Sequence, residues 1–357
     1  LMAHMDVVPI APREERKWQF PPFSGTLADG YVWGRGTLDT KGSMIAMLEA
    51  AELLLSQGFK PERSVLFSFG ADEEIGGYNG NRLVAEHLQQ QGTKLAWVSD
   101  EGGAITRGII PGVNANVALV GIAEKGSVTL NVTASAIGGH SSMPQAFDET
   151  AIGRLSLSLQ QIGHHPFAAH IQGPTNDFLD TIAPAQGFLP RMLLANRWLF
   201  GPLITQMLES TPAGSAQLRT VIAPTIINGG NKENVLPPDA RAIINLRIHP
   251  ADSIESVQQH VRGAINDPQV SIKVMPGARE PSSISDVNGE AYQHLSRTIR
   301  ASFGNTLVAP NLTVVGTDSR YFLPLTQNVF RFAPIQLTQQ DMQRIHGLNE
   351  RIAVKDL

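Results

Sequence analysis

Between residues 1 and 110 the chain alternates apolar, strand-like runs with a run of helical period, and this alternation narrows the choice of fold more than any other feature. SVLFSFGA, 64–71, and KLAWVSD, 94–100, read as strands. TKGSMIAMLEAAELLLSQG, 40–58, places Met44, Met47, Leu48, Ala51, Leu54 and Leu55 at helical spacing and closes on Gly58. Alternating elements imply a mainly parallel sheet in an α/β domain. Ligands of such sheets gather beyond the carboxyl ends of the strands. His4, Asp39, Glu74 and Asp100 all fall at strand ends or tight turns, so residues far apart in the chain are expected to converge.

The middle of the chain changes character. GSVTLNVTASA, 126–136, alternates like a half-buried strand, and a helical run follows near 148–162. TVIAPTIING, 220–229, and ARAIINLRI, 240–248, read as a strand pair. ADSIESVQQHVRGAI, 251–265, reads as a helix with Asp252 and Glu255 as a capping box, and VSIKV, 270–274, as a last strand. The order βαββαβ is a split βαβ sandwich, ferredoxin-like, and predicts an α+β domain over 115–277 inserted between 1–114 and 278–357. Within it, 163–218 carries six prolines and the apolar run FLPRMLLANRWLF, 188–200. That run reads as a helix packed on the small domain; a lining for an apolar substrate or a subunit contact is the alternative. From 286 the chain returns to the first domain, with a helix over DVNGEAYQHLSRTIRASFG and a strand running into a loop over LTVVGTDSRYF.

Composition removes several functions. The chain has no cysteine, so thiolate catalysis and disulfides are excluded and any metal must be held by oxygen and nitrogen. Its net charge is -4, from 28 basic and 32 acidic residues, with no basic block, which argues against nucleic acid as a partner. No stretch approaches the length of a membrane span. Leu1 already lies in a strand-like segment, so the natural N-terminus is expected upstream, and a signal or anchor could lie there too. A cytoplasmic location is the default expectation, an exported or membrane-anchored form the alternative.

His4, Asp39, Glu74, Asp100 and His346 supply two imidazoles and three carboxylates, enough for a pair of zinc-like ions with one carboxylate bridging. Glu73 is left over beside Glu74 and can serve as a base. In an extended segment the two glutamates point in opposite directions, so only one can bind an ion. The residues alone leave plainer readings open: Asp39 as a cap of the helix starting near Lys41, the glutamate pair as an acidic turn, His140 as a turn histidine and His346 as an exposed one.

HMDVVP, WGRGTLDTKG, GADEEIGG, SDEGG, GGHSSMP, NVLPPDARAIINLRI, GTDSRYF and HGLNERI run through nearly the whole chain. Together they resemble the two-zinc amidohydrolases of metallopeptidase family 20, which include aminoacylase, carboxypeptidase S and the glutamate carboxypeptidases. DEGG and GTDSR are similar to the carboxypeptidase S-like branch, which includes enzymes acting on fatty-acyl amino acids. The resemblance implies a di-metal catalytic domain and an inserted lid or dimerisation domain. It implies two divalent ions, Zn2+ first, with Co2+ or Mn2+ also accepted. One ion would be held by His4 and Asp100 and the other by Glu74 and His346, with Asp39 bridging and a cis peptide bond following it. Asp6 would orient His4, Glu73 would be the general base, and His140 would hold the oxyanion, often across a homodimer. Asn234, Arg247 and Arg320 match substrate-binding positions, Arg320 being the candidate for the α-carboxylate and Arg279 a further one. Tyr321 departs from the branch, which often has histidine there, and the family's strands before His4 are absent. The implied reaction is hydrolysis of the amide bond of a peptide or N-acyl amino acid next to a free carboxylate. An inactive binding protein on the same fold and a two-metal phosphoesterase are the alternatives.

Overall fold

Strand pairing begins at the first residues of the chain: Met2–His4 runs parallel to Ser68–Gly70, with His4 opposite Gly70. The computed structural model describes residues 1–357. They divide into two compact units, one of 1–123, 173–197 and 283–357, the other of 124–172 and 198–282. The second unit therefore differs in extent from the insert expected over 115–277. The segment 173–197 groups with the first unit because its helix Pro174–Ile182 packs on the strand Thr306–Thr313.

In the first unit, Val98–Asp100 lies parallel to Val329–Arg331, which places Asp100 beside Arg331. Ile105–Thr106 lies parallel to Gln336–Leu337 and antiparallel to the long strand Asn116–Glu124. The sheet is thus mixed, with parallel pairs at the strands that end near the candidate residues. One core joins Ile105, Val120, Ile122 and Phe330 to Tyr292 and Ile299 of the helix Glu290–Phe303. Another joins Met2, Ala85, Val98, Phe322 and Val329. It anchors the strand that ends at His4, the strand that ends at Asp100 and the turn Asp318–Phe322 on one apolar base.

Two expected elements are shorter or more exposed than the pattern suggested. The strand read over 64–71 is paired only from Ser68, and Val65, Leu66 and Phe67 remain exposed. Hydrophobicity alone marked those residues as strand, but pairing begins at Met2↔Ser68. The helix read over 40–58 spans Lys41–Ser56, yet Leu48, Leu54 and Leu55 are exposed and only Gly42 and Ser43 are buried. It docks by its first turn, where a Cβ on Gly42 would stand 2.6 Å from the Thr37 carbonyl oxygen.

The second unit is a four-stranded antiparallel sheet in the order Val221–Gly229, Asp239–Ile248, Gly126–Ser135, Val270–Val274. Period-two alternation buries one face of each central strand: Val128, Leu130 and Val132 lie beside Ala242, Ile244 and Leu246. The helices Ala151–His164 and Ile254–Ile265 cover that face with Leu155, Ile162, Val257 and Val261. Truncating one such side chain to alanine costs about 2–5 kcal/mol. The capping box lies one residue later than expected. Ser253 Oγ accepts from Ser256 N–H at 3.1 Å while Ser256 Oγ accepts from Ser253 N–H at 2.9 Å. Asp252 instead accepts from the Thr220 hydroxyl at 2.5 Å.

The apolar run 188–200 is not core. It falls on the helices Phe188–Ala195 and Arg197–Glu209, and Phe188 and Trp198 are 78% and 82% exposed. Leu194 is the buried member of the run. No helix is long and apolar enough to cross a membrane.

Candidate metal centre

Each candidate residue in the first unit sits where regular structure stops. His4 is the last residue of Met2–His4, and its backbone N–H donates to Thr40 Oγ1 at 3.0 Å. Asp39 precedes the helix Lys41–Ser56; Thr40 occupies the cap position, so Asp39 is not the helix cap. The Asp39–Thr40 peptide bond is cis. Glu73 and Glu74 occupy a 3-10 turn, Glu73–Ile75, rather than an extended segment. In such a turn successive side chains diverge by about 120°, so the pair still faces two ways.

Asp39 stands between the two histidines. Its Oδ1 is 3.0 Å from His4 Nε2 and its Oδ2 is 2.9 Å from His346 Nε2. Glu101 Oε1 approaches His4 Nε2 at 3.3 Å, and Glu74 Oε1 approaches His346 Nε2 at 3.3 Å. Asp39 is thus shared by the two histidines, and two triads have donor atoms that all lie within 4.8 Å of one another: His4, Asp39 and Glu74, and His4, Glu73 and Glu101. His4 Nδ1 donates to the backbone oxygen of Asp6 at 3.0 Å, which fixes the ring so that Nε2 faces the cluster. The Asp6 carboxylate stands farther off at 3.4 Å and accepts from Glu74 N–H at 3.0 Å, so it also fixes the glutamate turn.

Asp100 does not join this cluster. It is buried behind the strand end, with Oδ2 accepting from Ser319 N–H at 2.8 Å and Oδ1 from Glu101 N–H at 3.0 Å. Glu101, which the sequence reading passed over, takes the place beside His4. The missed signal was the DE pair itself: neighbours at a strand end face opposite ways, so one of them must point inward.

Electrostatics agree with a site for cations. Burial would lower the His4 imidazole, but hydrogen bonds to Asp39 and Glu101 and their charge reverse this and push it up to about 12. Burial would raise Asp39, yet hydrogen bonds from His346 and His4 pull it well below the usual carboxylate range. Burial raises Glu101 far above its ordinary value and raises Glu74, with neighbouring carboxylates adding to both. Three carboxylates and two imidazoles of oxygen and nitrogen character suit divalent cations, so the donor set fits the group implied for it.

Glu73 lies within reach of His4 and Glu101. Burial lifts it to about 8, with the charge of His4 opposing and those of Asp318, Asp100 and Glu74 adding to the rise. Arg320 sits on the other side of the glutamate turn. Its Nη2 donates to the Gly76 carbonyl at 2.7 Å, its Nη1 donates to the Thr317 carbonyl, and it stacks over Tyr321 at 4.5 Å. Tyr321 Oη donates to the same Gly76 carbonyl at 2.5 Å. These contacts tie Asp318–Phe322 to Glu73–Ile75 and engage the guanidinium expected to take a substrate carboxylate.

The remaining candidates lie in the second unit. The strand Gly139–His140 pairs with Val235–Leu236, which brings His140 close to Asn234. His140 Nδ1 accepts from Ser142 N–H at 3.1 Å, so the ring proton of its neutral form sits on Nε2. Arg247 and Arg279 both border Ser127: Arg247 pairs with it across the sheet, and Arg279 Nε donates to its Oγ at 3.3 Å. Burial and then the charge of Arg279 lower Arg247 from its ordinary value.

Lys125 is buried nearby, donating to the Ala216 and Arg219 carbonyls at 3.0 and 2.7 Å. Burial, and then Arg247, depress its ammonium from 10.5 to about 7. The folded chain then binds fewer protons than the unfolded chain between those values, so this group makes stability rise with pH across that window. Below it both states are protonated and the gain is absent. Urea melts should show wild type gaining on Lys125→Met by up to about 1.4 kcal/mol per pH unit above about 7. A pH-independent difference would refute the depressed ammonium.

Comparison with known proteins follows the same lines. The model of peptidase family M20/M25/M40 matches residues 1–357. The chain is 43% identical over 355 residues to the N-fatty-acyl-amino acid synthase/hydrolase PM20D1 of Xenopus tropicalis, covering 99% of this chain and 68% of that protein. It is 40% identical over 358 residues to the probable carboxypeptidase S-like 2 of Dictyostelium discoideum, covering 100% and 68%. Among solved structures, the M20 family metallo-carboxypeptidase Sso-CP2 from Sulfolobus solfataricus shares the fold at TM-score 0.66 and 17% identity, over 99% of this chain and 80% of that one. Human carnosine dipeptidase 1 shares it at TM-score 0.61 and 16% identity, over 99% and 75%. The chain belongs to peptidase family M20/M25/M40 and is a metal-dependent hydrolase of peptide or related amide bonds.

Proposed function

We propose that this protein cleaves the amide bond of N-acyl amino acids and small peptides beside a free carboxylate, using two Zn2+ ions. The observation that carries the reading is Asp39, placed with one oxygen toward His4 and the other toward His346. His4, Glu101 and Asp39 would hold one cation, and His346, Glu74 and Asp39 the other, with Glu101 replacing Asp100 as the fifth ligand. Divalent cations bound there would polarise the scissile carbonyl and make water acidic enough to attack near neutral pH.

The chain's own groups supply the rest. Glu73 would take a proton from the attacking water and pass it to the leaving nitrogen, the role of a base held near the working pH. His140 would donate Nε2–H to the oxygen on which charge develops. Arg247, Arg279 and Asn234 would bind the substrate carboxylate. The charge of Arg279 acting on Arg247 supports this, because an anion relieves their repulsion. Arg320, engaged with backbone, would instead hold the turn that carries Glu73. A long apolar acyl group is the favoured substrate feature, supported by the name of the Xenopus relative.

A panel of N-oleoyl and N-acetyl amino acids, dipeptides and phosphate esters tests this. N-acyl amino acids should be hydrolysed, a chelator should stop the reaction, and Zn2+ or Co2+ should restore it. Turnover of phosphate esters alone would overturn the reading. In parallel, Glu101→Gln should lose bound cation and Asp100→Asn should keep it; the reverse would return the ligand role to Asp100.

A further inference from the structure

Glu350, in the HGLNER stretch, is fully buried, and its side chain meets the proposed cation sites through the backbone N–H of Asp39. Its Oε1 accepts from three N–H groups of the loop that carries Asp39: Gly36 at 2.9 Å, Leu38 at 2.9 Å and Asp39 itself at 3.4 Å. Its Oε2 accepts from Arg35 Nη1 at 2.7 Å. Arg35 Nη2 reaches the backbone oxygen of His346 at 3.2 Å, and the backbone oxygen of Glu350 accepts from Gly34 N–H at 2.9 Å. The loop can curl around the carboxylate because Gly36 adopts φ +87, where a Cβ would meet Val7 Cγ1 at 2.6 Å.

The other end of this linkage is a turn that needs support. His346 and Asn349 have φ of 59 and 58, a region that side chains other than glycine seldom occupy. Arg35 bonds the carbonyl of His346, and Asn349 Oδ1 accepts from Gln19 N–H at 2.7 Å. The Arg35 guanidinium also lies over the Trp18 ring, 5.4 Å from its centre. A buried, charge-assisted pair of this kind holds geometry strongly, because removing either partner leaves the other charge buried alone.

We infer that Glu350, acting through Arg35, is a positioning residue that sets the span between Asp39 and His346 and so preorganises the cation site that His346, Glu74 and Asp39 share. The inference rests on the proposed cation sites. The loop bearing Asp39 and the turn bearing His346 are sequence-distant, and the Glu350–Arg35 pair bonds both of them. With the pair intact, the 2.9 Å approach of His346 Nε2 to Asp39 Oδ2 is held by protein. With it cut, binding of a cation must also order the turn, which weakens that site. The site at His4 lies on the core strand and should be affected less.

The test uses the full chain and Co2+ alone as the probe, titrated by calorimetry and followed by its visible absorption. Arg35→Lys keeps a cation against Glu350 but loses the second N–H to His346. It should bind two equivalents at saturation, one weakened about 10–100-fold and the other close to wild type. Its kcat should fall at limiting Co2+ and recover in excess, with KM unchanged. Glu350→Gln keeps an oxygen for the loop but turns an amide donor toward Arg35, and should weaken the same site further. A purely structural role would lower the melting temperature and leave the isotherm unmoved. A folded Arg35→Lys protein whose isotherm overlays wild type overturns the inference, and decides it alone should Glu350→Gln fail to fold. A wild-type chain that binds no Co2+ would instead sink the cation sites themselves.

Discussion

Glu73→Gln should lower kcat by about 10²–10⁴-fold while the protein keeps its full complement of cations. The amide preserves the size of the side chain and its place in the turn Glu73–Ile75, and it removes only the ability to accept a proton. Two features make Glu73 the group to change. It lies near His4 and Glu101 but forms none of the ion pairs that Asp39, Glu101 and Glu74 make with a histidine nitrogen, and its acidity is shifted toward neutrality by burial and by the surrounding carboxylates. Single-turnover rates and metal analysis on the same sample check both halves of the expectation. A variant that retains more than about a tenth of wild-type kcat would remove Glu73 from proton transfer. A variant that loses cations along with activity would make it a ligand instead.

Asp39→Asn should weaken both cation positions together, by more than about 100-fold, the upper end of what loss of an outer partner costs. Asp39 has one oxygen 3.0 Å from His4 and the other 2.9 Å from His346, so its neutralisation removes negative charge from both sites at once. The effect on stability should follow. Bound cation at about 100 times its dissociation constant stabilises the folded state by about 2.7 kcal/mol. Melting of wild type should therefore fall when a chelator is added, and melting of Asp39→Asn should not respond. Loss of a single equivalent in the variant would show that the two positions are independent and that Asp39 serves only one of them.

The small unit was readable from its sequence because its strands are half-buried. Gly126–Ser135 and Asp239–Ile248 present alternate residues to one core, so a period of two survives in the residues themselves. Helix Ile254–Ile265 was readable for the same reason, with Val257, Val261 and Ile265 on one stripe. Failures came where hydrophobicity had no packing partner behind it. Val65, Leu66 and Phe67 look like strand, and Phe188, Leu189 and Trp198 look like core, yet all are exposed. The start of the helix at Ile254 was missed by one residue because Asp252 and Ser253 are both good caps, and the hydroxyl of Thr220 claims Asp252.

The residues alone determined the chemistry available to this protein: an oxygen and nitrogen donor set, no thiolate, a spare glutamate, and strand ends that bring distant carboxylates and histidines together. Only the tertiary structure decided which of two adjacent acids faces His4. The Asp100 carboxylate accepts from Ser319 N–H, and Glu101 is the one that reaches His4. It also decided what Glu350 and Arg35 do. Hydrogen bonds between residues more than 300 positions apart leave no period or spacing in a sequence, because they depend on where two loops end in space.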